Sequence, residues 1–231
     1  MKRLIYRAFS GAILRLERWR VATLGSDLEL ELKKRALRTS ADLVVREMQR
    51  AKPFPQPVDV LNYALDLLGP RPSGLVLEFG VFEGRSLRLM HQRLGGTIYG
   101  FDSFQGLPED WLPGRPKGYF AMSGVPTMPE GVQLVPGWFH ETLPAFIAQH
   151  PGPVSFLHID CDLYASTKTI FENLGEKIVA GTILVFDDFF NYPGWENGEA
   201  RAFAEFLGKG RRCEYLAYCS NHMQVAIQML N

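Results

Sequence analysis

The chain has 231 residues, 46% apolar and 22% charged, and its 25 Lys/Arg balance its 25 Asp/Glu. Those fractions are ordinary for a soluble globular protein, and the length suits one domain with an appendage. Three cysteines (Cys161, Cys213 and Cys219) are too scattered for a disulfide framework or a zinc site. No apolar run reaches the ~18 residues of a membrane span, and Arg3, Arg7, Arg15 and Arg18 interrupt any signal core, so the cytoplasm is the expected location.

Residues 1–50 read as helical, with Leu28, Leu32 and Leu43 set among charges, until the Pro-rich run 53–57. Val58, Leu61, Leu65 and Leu68 then fall on one helical face. Residues 75–79 make a short strand entering Gly80, and 86–94 a helix with Leu87 and Leu94 inward. Residues 97–101 form the next strand, ending at Asp102. The segment 103–131, rich in Pro, Gly and aromatics, is too long for a simple connection and suggests an active-site lid. A strand over 132–135 and a helix over 141–149 follow. The apolar runs 154–159 and 183–186 read as buried parallel strands flanking a helix over 163–178. A helix near 200–207 precedes a closing pair of strands, 215–218 and 225–229. Strands alternating with helices predict a doubly wound, mostly parallel, seven-stranded α/β sheet over 58–231, behind a helical extension over 1–57.

Both buried runs end in carboxylates: the first at Asp160, the second at Asp187 and Asp188. Ligands of open α/β sheets bind just beyond such strand ends. Three acidic groups gathered there would repel one another unless a hard cation sat between them, so Asp160, Asp187 and Asp188 are the candidate metal ligands. A second constellation surrounds the first strand-to-helix turn, where Glu78, Gly80, Gly84 and Ser86 precede and open a helix. Glycines let the backbone approach a ligand, and the helix N-terminus offers free N–H groups to an anion. Asp102 ends the next strand, where a carboxylate can accept both hydroxyls of a ribose. Phe82 and Arg85 break the G-x-G-x-x-G spacing, which argues against a nicotinamide dehydrogenase.

With these stretches the chain resembles the class I S-adenosylmethionine-dependent O-methyltransferases, and within them the macrocin O-methyltransferase (TylF/MycF-like) group. The resemblance rests on Val76–Gly84, Tyr99–Leu107, Gly137–Pro144, His158–Thr167 and Ile183–Trp195, and fades over the first 57 residues. It implies that Glu78, Gly80, Gly84 and Ser86 hold the methionine part of S-adenosylmethionine. It further implies that Asp102 and Ser103 hold the ribose, that Trp138 packs the adenine, and that Asp160, Asp187 and Asp188 bind magnesium. The acceptor is then a hydroxylated small molecule, such as a sugar on a natural product or glycan. Magnesium would leave positions for two adjacent substrate hydroxyls and lower the pKa of one. Asp160, Asp187 and His140 are the candidate catalytic groups.

Other readings stand beside these. Asp160-x-Asp162 also imitates the D-x-D metal motif of a nucleotide-sugar glycosyltransferase, and a cofactor-binding protein without activity is a third class. Asp162 reads better as the N-cap of the following helix than as a ligand. His158, sharing strand parity with Phe156 and Asp160, reads as a hydrogen-bonded interior histidine. Phe189, Phe190, Tyr192 and Trp195 read mostly as packing, with an aromatic acceptor wall as the alternative. Residues 1–57 carry 13 Lys/Arg against 6 Asp/Glu, and the rest 12 against 19. The basic, apolar segment 1–20 could lie on an anionic membrane surface, but packing against the acidic remainder or a second subunit is favoured. A homo-oligomer is expected, and nothing resembles a nucleic-acid module.

Overall fold

A computed structural model of the chain describes residues 27–208 and 210–231. The expectation for segment 1–20 lies outside the described residues. Helix α1 (Leu28–Glu47) opens on Asp27, whose carboxylate accepts the Leu30 N–H at 3.0 Å, and buries Ala36, Ser40 and Leu43. After strand β1 (Lys52–Phe54) comes α2 (Pro57–Leu68), with proline in its first turn, where no N–H is needed. Its buried residues are Val60, Leu61, Ala64 and Leu65, whereas Val58 is 48% exposed. Of the expected face Leu61 and Leu65 are buried and Leu68 packs against the same cluster; Val60 and Ala64 join them, and Val58 alone falls outside.

The remaining elements are β2 (Leu75–Phe79), α3 (Arg85–Leu94), β3 (Ile98–Asp102), β4 (Val132–Pro136), α4 (Phe139–Gln149), β5 (Val154–Ile159), α5 (Tyr164–Leu174), β6 (Ile178–Phe186), α6 (Glu199–Leu207), β7 (Cys213–Cys219) and β8 (Val225–Met229). Helix α5 stops four residues before the expected end, since Gly175–Lys177 tighten into a 3-10 turn and Ile178 already begins β6. Residues 103–131 contain no helix or strand.

Among the described residues all strands join one sheet in the order β1-β7-β8-β6-β5-β2-β3-β4. Only β8 runs antiparallel to its neighbours. The sheet has eight strands rather than seven: the Pro-rich stretch supplies β1, which pairs in parallel with the edge of β7. Proline is tolerated there because an edge strand need not donate on both sides. The progression reverses direction between β2 and β5, which are neighbours, and this switch opens a crevice beyond the strand ends.

Strand alternation sorts the core into two layers. Leu77, Phe79, Leu157, Ile159, Leu184 and Phe186 pack on the side of α1, α4, α5 and α6. Val76, Phe156, Ile183 and Val185 pack on the opposite side with α2 and α3. Ala36, Leu43 and Met48 belong to the first layer, so α1 is built into the same core. Three hydrogen bonds fix it further: Asn191 N–H donates to Ser40 Oγ at 2.8 Å, Trp195 Nε1–H to Thr39 Oγ1 at 2.9 Å, and the Thr39 hydroxyl to Glu196 Oε1 at 2.9 Å. Phe189, Phe190, Tyr192 and Trp195 are all buried, so they serve as packing.

Candidate active site

The pleat decides which carboxylates meet. In the β5–β6 register Phe156 lies opposite Ile183 and His158 opposite Val185, so one step further Asp160 faces Asp187. Glu78 lies opposite His158 in the β2–β5 register and shares this face. His158, Asp160 and Asp187 come together, with one potential ligand atom from each lying within 4.8 Å of the others. Asp188 follows the parity of Leu184 and Phe186 and turns to the other face, 4% exposed, so it lies outside this cluster. There its backbone N–H donates to Glu199 Oε2 at 3.4 Å.

Behind the cluster, Glu78 is fully buried and its Oε1 accepts from Ser86 Oγ–H while lying 2.8 Å from His158 Nδ1. His158 Nε2 lies 3.8 Å from Asp187 Oδ1. His158 is thus an interior histidine held between two carboxylates. Burial alone would lower its pKa, but Asp187 and Glu78 outweigh that and raise it well above the ordinary imidazole range.

A cavity of about 560 Å³ opens beside these groups, large enough for a nucleoside-sized ligand. Gly80, Asp102, Ser103, Trp138, His140 and Asp160 of the predicted set line it. Glu78, Gly84, Ser86, Asp187 and Asp188 do not. Gly80 has φ +91°, and a Cβ there would stand 1.7 Å from the Asp160 carbonyl oxygen. The glycine therefore lets the β2 and β5 tips close on each other. Gly84 has φ +72°, and a Cβ there would meet the Met128 methyl group at 2.0 Å. The space beside it is filled by the Met128 side chain from the 103–131 segment.

Asp102 braces the turn it faces. Its Oδ2 accepts the N–H groups of Val81 and Phe82, each at 2.8 Å, and its Oδ1 accepts that of Phe104 at 2.7 Å. A carboxylate offers about four acceptor positions, so one remains toward the cavity. His140 sits at the rim with its side chain 70% exposed, 3.9 Å from Glu141. Asp162 lines the cavity at φ +65° in a tight turn closed by Leu163 N–H donating to the Cys161 carbonyl at 2.7 Å. It caps nothing: the N-cap position belongs to Leu163, without a side-chain bond. The expected N-cap role is therefore corrected, because the γ-type turn carries the Asp162 carboxylate away from the helix N-terminus.

Residues no sequence pattern singled out complete the surroundings. Arg115, from the 103–131 segment, stacks against Tyr119, Phe120 and Trp111 at 4.9, 5.3 and 5.6 Å. Burial pushes Asp162 up to about 7, and Arg115 is the charge that restrains the shift. Burial, then Asp187, raises Asp160 well above the carboxylate range; burial and Asp162 do the same to Asp188. Glu199, from α6, is pushed up to about 8 by burial and Asp162. So many buried acids cannot all ionise without a countercharge. The donors beside the cavity fit a hard divalent cation on the Asp160 and Asp187 carboxylates, since magnesium prefers oxygen over imidazole.

The fold is that of the class I methyltransferases, and residues 77–189 match the family described as "Methyltransferase domain". The chain is 30% identical over 156 residues to demethyldecarbamoylnovobiocin O-methyltransferase of Streptomyces niveus, covering 55% of this chain and 57% of that protein. It is 28% identical over 158 residues to 8-demethyl-8-(2,3-dimethoxy-alpha-L-rhamnosyl)-tetracenomycin-C 4'-O-methyltransferase of Streptomyces olivaceus, covering 57% and 59%. The match thus spans under two thirds of the length of these curated relatives. Among solved structures the calicheamicin methyltransferase CalS11 superposes with a TM-score of 0.60 at 24% identity, over 88% of this chain and 93% of that one. No helix among the described residues is long and apolar enough to cross a membrane.

Proposed function

We propose that this chain is an O-methyltransferase of the macrocin type, moving the methyl group of S-adenosylmethionine to a hydroxyl of a small, sugar-bearing acceptor with magnesium assistance. The observation that carries the reading is the convergence of Asp187 on Asp160, which itself lines a cavity at the topological switch of a class I methyltransferase fold. Two relatives named for O-methylation, one of them of a rhamnosyl-bearing product, support the acceptor class.

Roles follow from position. Asp102, held by three backbone N–H groups, keeps an acceptor position for the ribose, and Ser103 lies beside it. Trp138 and Phe139 form the wall for the adenine, and Gly80 lets the methionine portion approach the β2 tip. Glu78 and Ser86 act from behind the wall, fixing His158 rather than touching the cofactor. Bound magnesium would supply Lewis acidity to two neighbouring acceptor oxygens. In the transfer a carbon–oxygen bond forms as the carbon–sulfur bond breaks, and the hydroxyl proton passes to the Asp160 carboxylate. His140 is assigned to the rim. Alignment of acceptor and donor can contribute about 7–11 kcal/mol in favourable cases.

The test is release of S-adenosylhomocysteine over a panel of glycosylated acceptors, with and without EDTA. Turnover on at least one acceptor, lost with EDTA, is expected. Thermal stabilisation by UDP-sugars and not by S-adenosylmethionine would replace this reading with the glycosyltransferase.

A further inference from the structure

We propose that Glu199 is a positioning residue that sets the spacing of Asp160 and Asp187, and with it the cation affinity of the site; this rests on the metal-assisted reading above. Glu199 touches neither the cavity nor the cluster and is fully buried at the start of α6. It binds the backbone of both carboxylate-bearing strand ends at once.

The ladder shows why such a group is needed. Asp160 N–H still donates to the Phe79 carbonyl at 2.8 Å, and Asp187 N–H to that of Ile159 at 2.9 Å. One residue later the strands part, and the next buried N–H groups, Cys161 and Asp188, have no neighbouring strand to pair with. A buried N–H without a partner is costly. Glu199 accepts both, Cys161 N–H on Oε1 at 3.3 Å and Asp188 N–H on Oε2 at 3.4 Å. The Cys161 thiol also donates to Oε1 at 3.7 Å. Each contact is long and individually weak. Together they place one rigid, planar group across the gap between β5 and β6, directly beyond Asp160 and at Asp187's neighbour. The two strand ends are then spaced by the width of one carboxyl group. Either protonation state can do this, because a carboxylic hydroxyl oxygen accepts as well.

A glutamine is nearly the same shape but has only one accepting oxygen, and its NH₂ would confront one of the two N–H groups. Glu199→Gln should therefore loosen one strand end while leaving the core filled. The experiment titrates Mn²⁺ into the full chain by electron paramagnetic resonance, without acceptor, and measures S-adenosylhomocysteine affinity in parallel. Outer partners of metal ligands typically change metal affinity about 10–100-fold, and a weakening of that order is expected for Glu199→Gln, with S-adenosylhomocysteine affinity unchanged. Phe203→Leu, a core change on the same helix, should lower the melting temperature and leave Mn²⁺ affinity alone. Equal Mn²⁺ affinity in wild type and Glu199→Gln, or an equal loss in Phe203→Leu, overturns the proposal while sparing the metal reading. Failure of the wild type to bind Mn²⁺ sinks both. Should Glu199→Gln not fold, amide exchange in the wild type decides: protection of the Cys161 and Asp188 N–H groups is required, and exchange as fast as in the lid refutes the bridge.

Discussion

Glu78 and His158 are cross-strand neighbours on the adjacent strands β2 and β5, joined by a 2.8 Å contact from His158 Nδ1 to Glu78 Oε1 with both side chains buried. Their link fixes the imidazole so that its other nitrogen faces Asp187. A buried pair of this kind is worth little against an apolar replacement, yet loss of one member strands the other.

Glu78→Ala should therefore destabilise the fold by about 3–5 kcal/mol, by leaving His158 and the Ser86 hydroxyl without an acceptor. Chemical denaturation of the variant against wild type measures this. A change below about 1 kcal/mol would mean that water replaces the carboxylate there.

Divalent cation should stabilise the resting protein through Asp160 and Asp187. At a concentration about 100-fold above the dissociation constant, magnesium should add about 2.7 kcal/mol, read as a rise in melting temperature that EDTA reverses. Asp187→Ala should abolish that rise and turnover while S-adenosylhomocysteine still binds, since Asp187 does not line the cavity. Retained turnover in the variant would remove the metal from the reaction.

The two glycines of the first turn should respond differently to alanine. At Gly80 the added carbon meets backbone, the Asp160 carbonyl, so Gly80→Ala should fail to fold or lose S-adenosylhomocysteine binding entirely. At Gly84 it meets the flexible end of Met128, so strain at φ +72° is the larger cost. Gly84→Ala should remain folded with a melting temperature lowered by a few degrees. Calorimetry of the pair checks the order, and equal damage would refute it.

Thiol chemistry offers a pH-dependent check away from the site. Burial, with Glu47 nearby, pushes the Cys213 thiol up to about 11 from an ordinary 9.0. The folded pKa is raised, so the neutral thiol's contribution to stability is present below pH 9 and is lost as pH climbs toward 11. Alkylation of Cys213 in the native protein should accordingly be slow at pH 8 and rise about tenfold per pH unit up to about pH 10. A plateau near pH 9 would contradict the burial. Cys161 and Cys219 are buried and should react only on unfolding.

The sheet was legible because Val154–Ile159 and Ile183–Phe186 carry apolar residues on both faces, as buried parallel strands do, with His158 a polar exception that joins the site. Strand β1 escaped notice because Lys52, Pro53 and Phe54 carry no strand pattern, and only the exposed edge of β7 recruits them. The meeting of Asp160 with Asp187 was also legible, since both end strands of equal character. Which of Asp187 and Asp188 would join was not, because that depends on register. Glu199 gave no local signal: a glutamate opening a helix is ordinary, and only the tertiary fold shows that its two oxygens reach two different strands. Asp162 looked like a cap because it precedes a helix, but a γ-type turn at φ +65° overrode that preference.

Because Asp160 and Asp187 meet through the two-residue repeat of the pleat, the frame of β6 is locked against slippage. Deleting one residue between Ile183 and Phe186 would carry Asp188 into the position of Asp187 while turning every apolar residue after the deletion to the opposite face. Length variation among descendants of this chain should thus accumulate in the 103–131 segment, where backbone can be added without changing which way any strand residue points.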